Sequence, residues 1–123
     1  MTLTEAIARI DALKHNTYSR EDKIRWISNL DGMVKHQVID THVGADAVSF
    51  AGYNENTPAD TALLVPAPYD ELYLWWLSAQ IDFYNGEFGR YNNSIVLFNT
   101  GFSVYKELYH RINASRSSRT AFY

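Results

Sequence analysis

Hydrophobic residues recur every three or four positions at the start of the chain, and this spacing predicts two helices. Thr2 and Glu5 have the spacing of a capping box and predict a first helix that ends near residues 15–16. Ser19, followed by two acidic residues, predicts the start of a second helix. The inward stripe is Leu3, Ile7, Ile10 and Leu13 in the first helix and Ile24, Ile27, Leu30, Val34 and Val38 in the second.

The pattern changes after Gly44, where apolar residues alternate with other residues. Val48 and Phe50 form one extended run and residues 63–65 form another, with a turn-rich segment between them. This pattern predicts a small irregular β-hairpin between the second and third helices. Because an isolated hairpin is only marginally stable in water, we expect it to pack against another element or a neighbouring subunit.

The most apolar part of the chain predicts a third helix. Pro68, followed by Asp70 and Glu71, is typical of a helix start. Residues 69–84 are apolar over more than half of the helix circumference. A helix of this kind is usually central in its domain or shared with a partner.

A fourth helix is expected after a break in the pattern. Gly86 and Gly89 interrupt the third helix, and Asn92 or Asn93 is expected to cap the next one, which should pack beside the third. Its predicted inward positions are spaced by three or four residues: Ile95, Phe98, Phe102, Tyr105, Tyr109 and Ile112.

The predicted fold is mainly α, a bundle of about four helices with the small hairpin inserted. Residues 1–112 form the helical domain, and residues 113–123 form an Arg- and Ser-rich tail. The 123-residue chain fits one domain, and no apolar run reaches the ~18 residues that a membrane-spanning helix needs. The absence of cysteine excludes disulfides and thiolate metal sites from this sequence.

Aromatic residues are unusually common and are concentrated between Tyr69 and Tyr109, making up 15% of the chain. Their large contact area suits both protein cores and protein interfaces, and both interpretations remain open. The candidate subunit-interface residues are Trp75, Trp76, Phe83, Tyr84, Phe50 and Tyr53.

Charge is distributed unevenly along the chain. Residues 1–110 contain 8 Lys or Arg and 14 Asp or Glu, a net charge of −6, whereas three arginines give residues 111–123 a charge of +3. The acidic body is expected to repel nucleic-acid phosphates. A protein partner, or plain solvation, therefore suits the tail better than dedicated DNA recognition, and the candidate partner-binding residues of the tail are Arg116, Arg119, Phe122 and Tyr123.

The sequence contains no nucleophile elbow, phosphate-binding glycine loop or dinucleotide fingerprint, so we predict neither an enzyme nor a cofactor. His36, Asp40 and His42 do not have the spacing of a metal site, and no metal is expected. An enzyme that uses Asp82 and Glu87 is a further alternative. A peripheral carboxylate that pairs with an arginine or is capped by the backbone is the favoured interpretation of such residues.

Several segments resemble the small head-tail connector (adaptor) proteins of tailed bacteriophages and prophages. They are Tyr69–Tyr73, Ala79–Glu87 and Tyr91–Ser94, with further similarity at Thr2–Ala6 and Asp22–Ile27. The resemblance covers about residues 2–112 and excludes the Arg- and Ser-rich tail.

The resemblance implies a homo-oligomeric ring, commonly of about twelve copies, at the head-tail interface of the virion, with the host cytoplasm as the place of assembly. Such a ring binds the portal protein on one side and a tail-side connector or stopper protein on the other, and it helps to retain packaged DNA. In such a ring we expect the C-terminal tail to dock on the portal, which makes its candidate partner-binding residues candidate portal-binding residues. It carries over no catalytic residue. An acidic body would not adhere to DNA in the lumen. The alternative is a small helical protein-binding or regulatory protein that acts as a monomer or dimer.

Overall fold

The computed structural model describes residues 1–113, and this part of the chain contains four α-helices. They are α1 (Leu3–Leu13), α2 (Arg20–Gln37), α3 (Leu72–Tyr84) and α4 (Phe88–Ile112). Three short 3-10 helices lie between α2 and α3: Ile39–Thr41, Ala45–Ala47 and Tyr69–Glu71. The prediction of a mainly helical fold is confirmed. Arg116, Arg119, Phe122 and Tyr123, the candidate portal-binding residues, lie outside the described residues.

The predicted caps of the first two helices are both present. The Thr2 hydroxyl accepts a hydrogen bond from the Glu5 amide at 3.2 Å, which is the N-cap bond of a capping box. The same hydroxyl donates to the Glu5 carboxylate at 3.2 Å, in place of the Thr2 amide that donates to this carboxylate in a capping box. The Ser19 hydroxyl accepts from the Asp22 amide at 3.1 Å. Each cap satisfies a backbone donor that the first helical turn leaves without a partner. These contacts fix where α1 and α2 begin.

The predicted β-hairpin is wrong. Within residues 1–113 no strand forms, and Thr2 and Ala62 are joined by an isolated antiparallel bridge. The second apolar run pairs with the start of the chain, since the Leu63 amide donates to the Met1 carbonyl at 3.0 Å. Leu63 and Val65 are buried against the helices. The alternation therefore reflects burial of an irregular segment and does not reflect pairing with the Val48–Phe50 run.

Helix α3 lies at the centre of the bundle and contacts all three other helices. Leu72, Tyr73, Leu77 and Ile81 are completely buried, although they do not share one helix face. The apolar character on several sides of this segment therefore has an intramolecular explanation, because different neighbours cover different sides.

Helix α4 begins earlier than the sequence predicts. It starts at Phe88 and not at Asn92 or Asn93, so that Gly89 lies inside its first turn. Gly86 has a φ of +75°, a left-handed conformation that favours glycine, and it reverses the chain between α3 and α4. The resulting helix is 25 residues long.

Only part of the predicted inward stripe of α4 is covered. Phe98 and Tyr105 are buried, whereas Ile95, Phe102 and Tyr109 are half-buried. Ile112 was expected to face inward but is 69% exposed. A helix of this length extends beyond the shorter α3 against which it packs, and its remaining surface faces outward.

Candidate protein-interaction surface

A buried carboxylate holds the irregular segment between α2 and α3 in place. Asp31 on α2 is completely buried and accepts hydrogen bonds from the hydroxyls of Tyr53, at 2.6 Å, and Tyr73, at 2.5 Å. It also accepts from the Leu64 amide at 3.1 Å, while the Tyr73 hydroxyl accepts from the Val65 amide at 2.9 Å. We call Asp31, Tyr53 and Tyr73 the Asp31 cluster.

The environment of the Asp31 cluster raises the pKa values of its three members. Burial raises the pKa of Asp31 above its ordinary value of 3.8, although the two tyrosine hydroxyls and the Leu64 amide act in the opposite direction. Burial and the adjacent carboxylate raise the pKa of both Tyr53 and Tyr73. The tyrosines therefore act as neutral hydrogen-bond donors to Asp31 at physiological pH. This arrangement suits a structural role, in which the cluster attaches the irregular segment to α2 and α3.

Helices α3 and α4 approach each other closely at Gly101. A Cβ atom at this position would lie 2.6 Å from Cζ3 of the Trp75 indole. Trp76 packs against Phe98 with ring centroids 4.9 Å apart, and its indole nitrogen donates to the Trp26 carbonyl at 2.8 Å. The absence of a side chain at Gly101 thus determines where Trp75 rests on α4.

This close approach forms one wall of an apolar groove on the surface. The groove has a volume of 310 Å³ and lies between α4, the start of α3 and the turn before it. It is lined by Pro68, Tyr69, Glu71, Trp75, Leu97, Thr100, Gly101 and Val104. Leu97 is 50% exposed and Val104 is 45% exposed, so both side chains are open to solvent.

A second exposed apolar feature lies where α3 joins α4. Phe83 and Phe88 are 47% and 59% exposed, and their ring centroids are 6.1 Å apart. Tyr84 is 58% exposed and stacks on Trp26 with a centroid distance of 5.6 Å. We call Phe83, Tyr84 and Phe88 the aromatic knob. An exposed apolar group of this kind is typical of a protein-interaction surface.

Each of these two features has an exposed ion pair beside it. Arg9 donates to Glu71 on the rim of the groove at 3.0 Å. Arg90 and Glu87 pair at 3.4 Å next to the aromatic knob. Exposed pairs of this kind contribute only about 0–1 kcal/mol to stability, so their charges can exchange partners at little cost.

The six candidate interface residues occupy different environments. Phe83 and Tyr84 are exposed in the aromatic knob, and Trp75 lies half-buried in the groove. Trp76 is half-buried between α2 and α4. Tyr53 belongs to the Asp31 cluster, and Phe50 packs edge-to-face on it at 5.0 Å.

Sequence reasoning missed the residues that line the groove on α4. Leu97, Gly101 and Val104 recur at spacings of four and three, which is a helical stripe, but the aromatic residues define a stronger stripe on the neighbouring face of the helix. Gly101 is the feature of the sequence that could have indicated the groove. A glycine within an otherwise regular helical pattern indicates a close packing contact.

The carboxylates of the enzyme alternative belong to separate ion pairs. Asp82 is completely buried, and Lys14 donates to it at 2.5 Å. Glu87 lies on the surface beside Arg90. Asp82 is therefore paired, but it is buried and not peripheral, and its partner is a lysine on α1 and not an arginine.

The histidines connect α4 to the turn after α2. His42 Nε2 lies 2.8 Å from His110 Nδ1, and His42 Nδ1 lies 2.6 Å from the Val38 carbonyl oxygen. Asp40 pairs with Lys35. Between residues 1 and 113, no three histidine, aspartate or glutamate side chains are grouped as metal ligands would be.

Comparison of the chain with known protein families, curated proteins and solved structures gives no match. In the part of the chain that the structure describes, no helix combines the length and the apolar character needed to cross a bilayer.

Alanine substitutions at two glycines of α4 are expected to have opposite effects on stability. Gly89→Ala should raise the free energy of unfolding by up to about 1 kcal/mol, because a Cβ there meets no atom within 4 Å. Gly101→Ala has the same helix-propensity gain but must displace Trp75, and overpacking of this kind costs about 1–3 kcal/mol. We expect a net loss of about 1 kcal/mol at Gly101, measured by urea unfolding. Equal stabilisation by the two substitutions would contradict the close contact between α3 and α4.

Proposed function

We propose that this chain is a structural subunit that assembles with copies of itself into a ring, and that the ring is a head-tail connector of a tailed phage. In this role it bridges the portal protein and a tail-side connector or stopper, and it helps to retain packaged DNA. The observation that carries the proposal is the exposed apolar surface of α4 and of the turn before it.

Several large apolar side chains of this region are exposed, and they lie on more than one face of α4. On α4, Phe88 is exposed beside the turn before the helix, and Leu97 and Val104 are exposed in the groove. Phe83 and Tyr84 extend the surface across the turn. Single exposed apolar residues are ordinary, but several on one element favour burial by a partner because each covered side chain contributes about 1–3 kcal/mol.

The position of this surface also supports assembly. Helix α4 packs mainly on α3, so that its opposite side is available along most of its length. A ring needs two different surfaces on each subunit, one for each neighbour. The groove and the aromatic knob are two such surfaces.

Charge supports a role around DNA. The net charge of −6 over residues 1–110 disfavours adhesion to phosphates, which suits a ring through which DNA slides. A protein that gripped DNA by its backbone would need the opposite charge. The proposal therefore assigns contact with partners to protein surfaces and not to nucleic-acid recognition.

The proposal is tested by measuring the mass of the full chain alone and with the portal protein encoded in the same genome. Native mass spectrometry and multi-angle light scattering should detect a ring of about twelve copies, free or bound to the portal. A discrete monomer or dimer that does not bind the portal protein would contradict the proposal. That outcome would favour the small protein-binding or regulatory protein considered as the alternative.

A further inference from the structure

We propose that, within the ring assigned above, the aromatic knob of one copy inserts into the groove of the next copy. The occupant of the groove is thus a second copy of this chain, in a head-to-tail contact. The inference rests on the proposed ring function and adds the two surfaces and the residues through which neighbours bind.

The groove has the size and chemistry to hold aromatic side chains. Its volume is 310 Å³, and an apolar cavity of about 150 Å³ is enough to bind benzene. Trp75 offers an indole, while Leu97 and Val104 offer aliphatic side chains. A phenylalanine ring inserted there gains both apolar burial and contact with the indole.

The two surfaces point in opposite directions, which decides the kind of contact. Leu97 follows Phe88 by nine positions, and at about 100° per residue this offset places them on opposite faces of α4. A knob therefore cannot enter the groove of its own chain. Two copies also cannot exchange knobs reciprocally, because surfaces on opposite sides of a molecule cannot both face one partner. Each contact leaves a free knob and a free groove, so assembly continues until the ring closes.

The charges beside the two surfaces complement each other. Glu71 lies on the rim of the groove, and Arg90 lies beside the knob and is 73% exposed. When the knob enters the groove, Arg90 can approach Glu71 of the neighbouring copy, and Glu87 can approach its Arg9. Both of the present ion pairs are exposed and weak, so breaking them during assembly costs little free energy. Such complementarity favours the head-to-tail contact over a contact between two grooves. A contact between two grooves would bring the Glu71 carboxylates of the two copies close together.

The experiment compares three variants of the full chain that each replace an exposed apolar residue of α4 by glutamate. Phe88→Glu disables the knob, Leu97→Glu disables the groove, and Val96→Glu is the matched control. Val96 is 62% exposed and does not line the groove, so its variant carries the same added charge outside both surfaces. Circular dichroism verifies that all three retain the helical fold, as expected for exposed positions.

Phe88→Glu and Leu97→Glu should each weaken self-association by at least about tenfold, because each introduces a charge into an apolar contact. Val96→Glu should assemble like the unmodified chain. An equimolar mixture of the two disabled variants should form heterodimers and no larger species, because only one intact knob and one intact groove remain per pair. Light scattering measures each of these masses.

A thiol cross-link tests the same contact independently of affinity. The chain has no cysteine, so a mixture of Phe88→Cys and Leu97→Cys chains treated with a short bis-maleimide should give a covalent dimer. Either variant alone, or Phe88→Cys mixed with Val96→Cys, should give much less. Equal cross-linking in all of these samples would overturn the proposed contact.

The outcomes separate this inference from the proposed function. If the unmodified chain forms rings and both disabled variants still form them, the knob-and-groove contact is wrong while the ring remains. If the unmodified chain stays monomeric even with the portal, the ring function itself is wrong. If mixing the two disabled variants restores full rings or gives no heterodimer, the head-to-tail arrangement is wrong.

Discussion

Replacing Asp31 by alanine is expected to lower the free energy of unfolding by about 2–4 kcal/mol. The substitution leaves the Tyr73 hydroxyl, the Tyr53 hydroxyl and the Leu64 amide without their acceptor. A buried donor without an acceptor costs about 1–3 kcal/mol. The loss is partly offset because the variant no longer buries a carboxylate, whose desolvation raises the pKa of Asp31.

Urea unfolding monitored by circular dichroism measures this effect, with two variants for comparison. Asp40→Ala removes a carboxylate that is 42% exposed and paired with Lys35, and it should cost less than about 1 kcal/mol. Tyr53→Phe removes one donor of the Asp31 cluster and should give an intermediate loss, because Tyr53 is only half-buried. An Asp31→Ala variant as stable as Asp40→Ala would show that the cluster does not hold the segment between α2 and α3.

The raised pKa of Asp31 gives this contribution a defined pH dependence. The folded state binds the proton more tightly than the unfolded state, so the stabilisation is fully present below pH 3.8 and is lost as the pH rises through the folded pKa. Asp31→Asn lacks this titration. The stability of the unmodified chain relative to Asp31→Asn should therefore decrease over that pH window, and an increase would contradict the assigned direction.

Replacing Lys14 by methionine is the second substitution with a large expected effect. Lys14 is the ion-pair partner of Asp82, whose side chain is 1% exposed, and one oxygen of that carboxylate already has no hydrogen-bond partner. Breaking a buried pair from one side typically costs about 3–5 kcal/mol. Because Lys14 is itself 24% exposed, water can partly replace it, and we expect a loss of about 2–4 kcal/mol in urea unfolding.

Removing both partners provides the control for this prediction. The double variant Lys14→Met, Asp82→Leu should recover most of the lost stability, because an apolar pair of similar size avoids burying a charge. Arg9→Met on the same helix breaks only the exposed pair with Glu71 and should cost less than about 1 kcal/mol. A double variant that is less stable than Lys14→Met alone would contradict this account.

Predictions that depend on residues close together in the sequence are confirmed at the starts of α1 and α2. The caps at Thr2 and Ser19 form as predicted, because a capping hydrogen bond depends on residues three positions apart. The start of α4 was misplaced because Gly89 resembles a helix breaker, yet it occupies an exposed first turn where a glycine is tolerated.

The hairpin prediction failed because alternation of apolar residues reports burial and does not identify the partner of the backbone. Two amides of the second run donate to Asp31 and to the Tyr73 hydroxyl, which lie 33 and 8 residues away in sequence. Contacts of this kind depend on side chains that only the folded chain brings together. A period of two alone could not distinguish this arrangement from a strand.

The sequence alone was enough to predict the helical class and the starts of the first two helices, and it left open whether the apolar third helix is central or shared with a partner. These properties follow from composition and from residues within one or two helical turns. The folded structure was needed to show that α3 is central, that Lys14 pairs with a buried Asp82, that Trp76 lies against α2 and α4, and that Leu97 and Val104 remain exposed. Which side of an apolar helix is covered depends on the lengths of the neighbouring helices and on how they cross it. At Gly101 the absence of a side chain allows Trp75 of α3 to lie directly against α4.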